Sequence, residues 1–161
     1  MIVLVMGTTG AGKTTVGQLL AQGLGWTFLD ADDFHPPANI EKMKKGIPLT
    51  DADRVPWLAA IHAELVRQSK AGKNCVLACS ALKKAYRETL GAGLQIKVVY
   101  LKGSYEEMKK HILARHGHFA GEGILAGQFA DLEEPEDAIV VSVNHTPEEI
   151  VAEVRRKLKL A

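Results

Sequence analysis

Near the start of the chain, Gly7-Thr8-Thr9-Gly10-Ala11-Gly12-Lys13-Thr14 matches the pattern G-x-x-x-x-G-K-[ST]. It follows the apolar run Ile2 to Met6 and precedes a helical pattern, the context that the motif requires. Each part has a physical task. Glycines let successive backbone N–H groups curl around a phosphate, and the dipole of the following helix adds positive potential. Lys13 reaches the β and γ oxygens, and the Thr14 hydroxyl can ligate Mg²⁺. The loop residues Gly7, Thr8, Thr9, Gly10, Ala11, Gly12, Lys13 and Thr14, with Thr15 beside them, are therefore assigned to nucleotide binding, with ATP and Mg²⁺ as cofactors.

A nucleotide site needs an acid to complete it, and the chain offers a limited choice. No N-K-x-D or D-x-x-G string occurs, which excludes a GTPase switch. The runs ending at Ser80, Lys102 and Ser142 carry no acid at their ends, so the arrangement of motor-like ATPases is absent. Thr27-Phe28-Leu29 ends in Asp30, with Asp32 two residues on. In an extended segment i and i+2 point the same way, so both carboxylates could face the phosphates. One could support the metal shell while the other accepts a substrate hydroxyl proton, as transfer to an alcohol demands.

These groups must be carried by a rigid frame. Buried strands are expected at Ile2 to Met6, Thr27 to Leu29, Cys75 to Cys79, Ile96 to Leu101 and Ala138 to Val143. Helical spacing follows in Val16, Leu19, Leu20 and Leu24, and in Leu58, Ile61 and Leu65 after a start at Pro56. Ser104 to Glu107 and Thr146 to Glu149 match capping boxes, the second with Pro147 at the first helical position. Continuous apolar strands separated by helices give an α/β fold: a parallel five-stranded sheet with helices on both faces, in three layers. One domain spans residues 1–161. Two stretches show no simple period, Asp33 to Arg54 and His116 to Pro135, and such excursions at an open sheet usually carry ligand contacts.

Composition narrows the partners. Twenty Lys and Arg against nineteen Asp and Glu leave a formal charge of +1, so no bulk field draws in nucleic acid or anionic lipid. No apolar run approaches the ~20 residues of a membrane span, and the first residues lack the features of a signal peptide. A cytoplasmic protein without a membrane partner is expected. Cys75 and Cys79 lie four apart in an expected strand, about 13 Å by strand rise, and read as core thiols.

The sequence resembles the gluconate kinases, small P-loop sugar-acid kinases related to shikimate and nucleoside monophosphate kinases. The resemblance runs through Phe28-Leu29-Asp30-x-Asp32-x-x-His35-Pro36, Asn39-Ile40-Glu41-Lys42-Met43 and Gly46-x-Pro48-Leu49-x-Asp51-x-Asp53-Arg54-x-Pro56-Trp57-Leu58. It continues in Cys79-Ser80-Ala81-Leu82-Lys83-x-x-Tyr86-Arg87, Tyr100-Leu101-Lys102-Gly103, Gly117-His118-Phe119 and Gln128-Phe129-x-x-Leu132-Glu133-x-Pro135. Asp-Ala-Asp stands where the resemblance suggests Asp-Gly-Asp, and Gly127 where it suggests serine. It implies ATP-dependent phosphorylation of D-gluconate to 6-phospho-D-gluconate, Mg²⁺, a cytosolic homodimer and a mobile lid over roughly residues 116–135. The residues alone leave open a kinase of another small acceptor, such as a shikimate-like acid or a nucleoside monophosphate, or a noncatalytic ATP-binding switch.

Carried over by position, the resemblance makes Lys13 and Thr14 nucleotide and metal residues, Asp32 the acid that meets the acceptor hydroxyl, and Asp30 a metal-shell residue. His35 could bond a polyol hydroxyl or a local turn. Asp51 and Asp53 have two roles open, helix cap or substrate contact. Arg54 is the choice for the substrate carboxylate, because a planar guanidinium matches it bidentately. Ser80 ends a strand at the ligand edge; of Lys83 and Arg87, four apart, one is expected to touch substrate and the other to be solvated. Arg115 is the expected lid arginine over the phosphates. Trp57 reads as helix packing, and His62, His111 and His145 as surface. A structural zinc at His116 and His118 is rejected for want of further ligands.

Overall fold

The computed structural model describes residues 1–117 and 122–160. Five strands form one sheet: β1 (Ile2–Met6), β2 (Thr27–Asp30), β3 (Cys75–Ala78), β4 (Ile96–Lys102) and β5 (Ile139–Ser142). The order is β2-β3-β1-β4-β5, and every pairing is parallel. All five expected strands are present, each within a residue or so of its anticipated ends. The helices are α1 (Lys13–Leu24), α2 (Pro37–Lys44), α3 (Asp51–Lys70), α4 (Lys84–Gly91), α5 (Tyr105–His116), α6 (Glu122–Asp131) and α7 (Pro147–Lys157).

The period of two in the strands explains the three layers. Val3 and Val5 of β1 join Val76, Val99 and Leu101 beneath α1, α5, α6 and α7. Ile2, Leu4 and Met6 point the other way, to Cys75, Leu77 and the apolar faces of α3 and α4. Both faces are dry, which is why β1 reads as an unbroken apolar run. The two cysteines are free and buried, as anticipated.

One expectation is corrected. Helix α3 begins at Asp51 and not at Pro56, which sits inside the helix. Its true start is a capping box: the Asp53 N–H donates to Thr50 Oγ1 (3.1 Å), and the Thr50 N–H donates to Asp53 Oδ2 (2.9 Å). The cap and the buried face of Trp57, Leu58, Ile61 and Leu65 together offset the helical hydrogen bond that proline removes. The two stretches without a clear period are partly helical. The first holds a 3₁₀ turn (Ala31–Phe34) and α2, and the second holds α6. Both helices are short and α6 is apolar on most sides, so a helical period is hard to discern.

Strand β1 is the middle of the sheet. The chain leaves it for the edge at β2, returns to β3, then crosses to β4 and β5 on the far side. The carboxyl ends of β1 and β3 therefore border the crevice where a doubly wound sheet binds its ligand.

Candidate active site

The phosphate loop joins β1 to α1 over that crevice. Gly12 is the N-cap of α1, with φ of 87°. Gly10 also has φ of +87°, and a Cβ there would lie 2.9 Å from the Met108 carbonyl oxygen. The loop thus presses against α5, where only glycine fits. On the same helix His111 Nδ1 lies 3.0 Å from the Gly10 carbonyl oxygen, so it carries the proton that it donates there. His111 is half-buried loop support and not the surface residue expected. His62 likewise meets the Leu90 carbonyl (3.2 Å), joining α3 to the end of α4.

A cavity of about 270 Å³ opens beside the loop. The loop residues Thr9, Gly10, Gly12, Lys13, Thr14 and Thr15 line it, facing Asp30, Asp32, Ser80 and Arg115. Four separate elements thus bring the expected phosphate and acid groups to one place. The Lys13 ammonium donates to the Thr8 carbonyl (3.1 Å). Burial pulls its pKa below the ordinary lysine value, while Cys79, Asp32 and Asp30 oppose the shift. Arg115, from the last turn of α5, adds a second cation.

The acid pair converges by a different route from the one expected. Asp30 ends β2, but Asp32 lies in the 3₁₀ turn and not on an extended strand. The Asp30 carboxylate caps that turn, accepting the Asp32 N–H at Oδ1 (3.0 Å), while Thr14 Oγ1 donates to Oδ2 (3.4 Å). Asp32 is thereby held beside Asp30 in the cavity. Burial raises the Asp32 carboxyl above the ordinary carboxylate range, Asp30 adds to the rise, and His35 and Lys13 offset part of it.

His35 continues the series away from the phosphates. Its ring stacks on Trp57, with centroids 4.5 Å apart and planes 9° apart. The Trp57 N–H donates to the Ala31 carbonyl (2.7 Å), so Trp57 packs the helix and also serves as a platform. Asn39, buried in α2, donates from Nδ2 to the Asp53 carbonyl (2.9 Å), which fixes its amide. The same nitrogen lies 3.2 Å from His35 Nδ1, which must therefore accept and leave the proton on Nε2. Burial lowers the His35 pKa, Asp32 raises it and Arg54 lowers it, so both groups act on the imidazole.

The start of α3, the helix that carries Trp57, forms a cationic corner with α4. Arg54 donates to the Tyr86 hydroxyl (3.0 Å), lies 5.5 Å from the centre of its ring and pairs with Asp51 (3.7 Å). Lys83 also pairs with Asp51 (3.1 Å), and the Tyr86 hydroxyl donates to the same carboxylate. Those contacts hold the Asp51 carboxyl below the ordinary range. Asp51 is thus the counter-ion of the corner, whereas Asp53 is the cap, paired with Lys42 at 2.7 Å and pushed down to about 2. Arg87 is not solvated: it donates to the carbonyls of Ala81 (2.7 Å), Leu82 (3.1 Å) and Glu133 (2.9 Å). Its guanidinium ties the loop after β3 to the segment after α6. Residues 118–121, with His118 and Phe119 of the expected lid, lie outside the described residues.

Gln128 of α6 also lines the cavity, and sequence reasoning gave it no role. Tyr86 and Asn39 were missed in the same way. The only signal for the three was their place in the strings that carry the resemblance.

The shikimate kinase family matches residues 9–159. The probable gluconokinase of Mus musculus is 45% identical, with 98% of this chain and 97% of that protein covered. The gluconokinase of Gluconobacter oxydans (strain 621H) is 48% identical over 95% of this chain and 88% of that protein. The chain belongs to the gluconokinase family. A crystal structure of a gluconokinase from Sinorhizobium meliloti 1021 superposes on it with a TM-score of 0.89 at 39% identity, covering 98% of this chain and 90% of that one. The five-stranded parallel sheet and its helical layers are thus those of a gluconokinase, as the sequence led us to expect. No helix among the described residues is long and apolar enough to cross a membrane.

Proposed function

We propose that the chain catalyses ATP-dependent phosphorylation of D-gluconate to 6-phospho-D-gluconate. The observation that carries the reading is that Lys13 and the phosphate loop face Asp32 across one cavity, with His35 stacked on Trp57 of the helix that also carries Arg54. An open-chain sugar acid has ends to match, with a reacting primary hydroxyl at one and a carboxylate at the other.

Asp32 accepts the proton of the primary hydroxyl as its oxygen attacks the γ-phosphorus in line. Its raised pKa makes it a stronger proton acceptor than an ordinary carboxylate. Lys13 and Arg115 carry the charge of the transferring phosphoryl group. The His35 Nε2–H can donate to a midchain hydroxyl, and Arg54, helped by Lys83, can hold the carboxylate. Ser80 lines the same cavity. Arg87 acts from behind by fixing the loop that carries Lys83.

Thr14 Oγ1 and Asp30 Oδ2 fit a divalent cation. They are two hard oxygens 3.4 Å apart, and Mg²⁺ takes one or two protein oxygens beside phosphate and water. Bound there, Mg²⁺ would neutralise charge on the phosphates. A homodimer in the cytoplasm completes the reading, supported by the family resemblance and tested by mass in solution.

The deciding experiment is coupled ADP release across a panel of sugar acids, shikimate and nucleoside monophosphates. Release stimulated by gluconate above the others is expected. Equal release without acceptor would overturn the reading.

A further inference from the structure

Gln128 enters the phosphate loop from the far side of the chain. Its Oε1 accepts the backbone N–H of Thr9 at 2.6 Å, across 119 residues of sequence. Backbone N–H groups of such a loop are its phosphate donors, yet this one is bound by a side chain from α6. The contact also orients the amide. Because Thr9 donates, the atom facing it must be the oxygen, and the Nε2 amide carries two further donors. Among the described residues Nε2 has no hydrogen-bond partner, and Gln128 lines the same cavity as Lys13, Asp32 and Arg115.

Helix α6 is well placed to hold such a group. Leu125 is fully buried in the core beside Met108 and Ile112 of α5, and Phe129 meets Tyr105 edge to face at 5.9 Å. Gln128 therefore projects from a packed helix and not from a free loop.

We propose that Gln128 is a γ-phosphate contact: its carbonyl oxygen fixes the Thr9 amide while its Nε2–H donates to the phosphoryl group being transferred. The inference rests on the proposed kinase reading and names a residue of that same site. A neutral carboxamide suits the task, since it offers an acceptor to the loop and a donor to the phosphate. A carboxylate would offer only acceptors and would repel the phosphate.

The test is calorimetric binding of ADP and of a non-hydrolysable ATP analogue to the wild type, Gln128→Leu and Gln128→Glu. A hydrogen bond to a charged group corresponds to roughly 10- to 100-fold in affinity. Both variants should lose about that much for the analogue and keep ADP affinity within about twofold, which also reports that they are folded. Equal losses for both nucleotides would make Gln128 a structural prop of the loop. Tighter analogue binding by Gln128→Leu would make it a competitor that phosphate must displace. Full analogue affinity in Gln128→Glu would show that the bond to Thr9 suffices. Each of these three results overturns the proposal. Failure of the kinase reading would appear elsewhere, as absence of gluconate-stimulated ADP release in the wild type, and would leave the nucleotide comparison intact.

Discussion

Replacing Asp32 by Asn separates chemistry from architecture. The two side chains are nearly isosteric, and it is the Asp32 backbone N–H that bonds the Asp30 cap, so the 3₁₀ turn should survive. What is lost is a proton acceptor. General-base catalysis contributes about 10²- to 10⁴-fold, which corresponds to ~2.7–5.4 kcal/mol of barrier. Turnover of gluconate should fall by that factor while ATP affinity stays close to wild type. The pH profile gives an independent readout. Burial and Asp30 raise the Asp32 carboxyl above its ordinary 3.8, so wild-type activity should decline on the acid side while ordinary carboxylates are still ionised. Asp32→Asn should lack that limb. Stability moves the opposite way to activity. A carboxyl with a raised folded pKa contributes stability that is fully present below its unfolded value and is lost as pH rises through the folded one. At neutral pH the ionised group is therefore a burden, and the variant should melt at or above the wild-type temperature, with the gain shrinking towards pH 4. Coupled ADP release between pH 5 and 9 and thermal melts measure both. A variant with normal turnover, or with collapsed ATP affinity, would refute the assignment and point to Asp30 as the base.

Lys13→Ala should lower turnover by at least ~10²-fold in a protein that melts normally, because positioning and charge supply nearly all of phosphoryl-transfer catalysis; steady-state kinetics checks this. Arg54→Lys should cost about 2–5 kcal/mol in kcat/KM for gluconate and leave ATP binding unchanged, since a lysine cannot reproduce the planar fork that meets a carboxylate. Normal kcat/KM would move the anchor to Lys83. Gly17→Ala should destabilise the fold by about 1–3 kcal/mol, because its Cβ would lie 2.7 Å from Phe28 Cε1 where α1 packs on β2. An unchanged melting temperature would contradict that packing.

The phosphate loop and the sheet were legible in the sequence because their determinants are local. Glycine conformations, a lysine and a hydroxyl at fixed spacing define the loop wherever a strand and a helix flank it. Strands buried on both faces show as apolar runs such as Ile2 to Met6, and capping boxes at Ser104 and Thr146 mark helix starts within a few residues. The cap at Thr50 was equally local, but Pro56 supplied a competing start signal. Tertiary structure decided what depends on groups far apart in the chain. Arg87 and Lys83 share one short segment, yet one clamps backbone carbonyls and the other pairs with Asp51, a difference set by Glu133 and Asp51 across the fold. The Asp32 carboxyl is raised only because folding buries it beside Asp30. Gln128 meets Thr9 only because α5 and α6 pack above the loop. Residue type and spacing fix which chemistry is possible; distance and burial, which the whole fold sets, fix which side chains perform it.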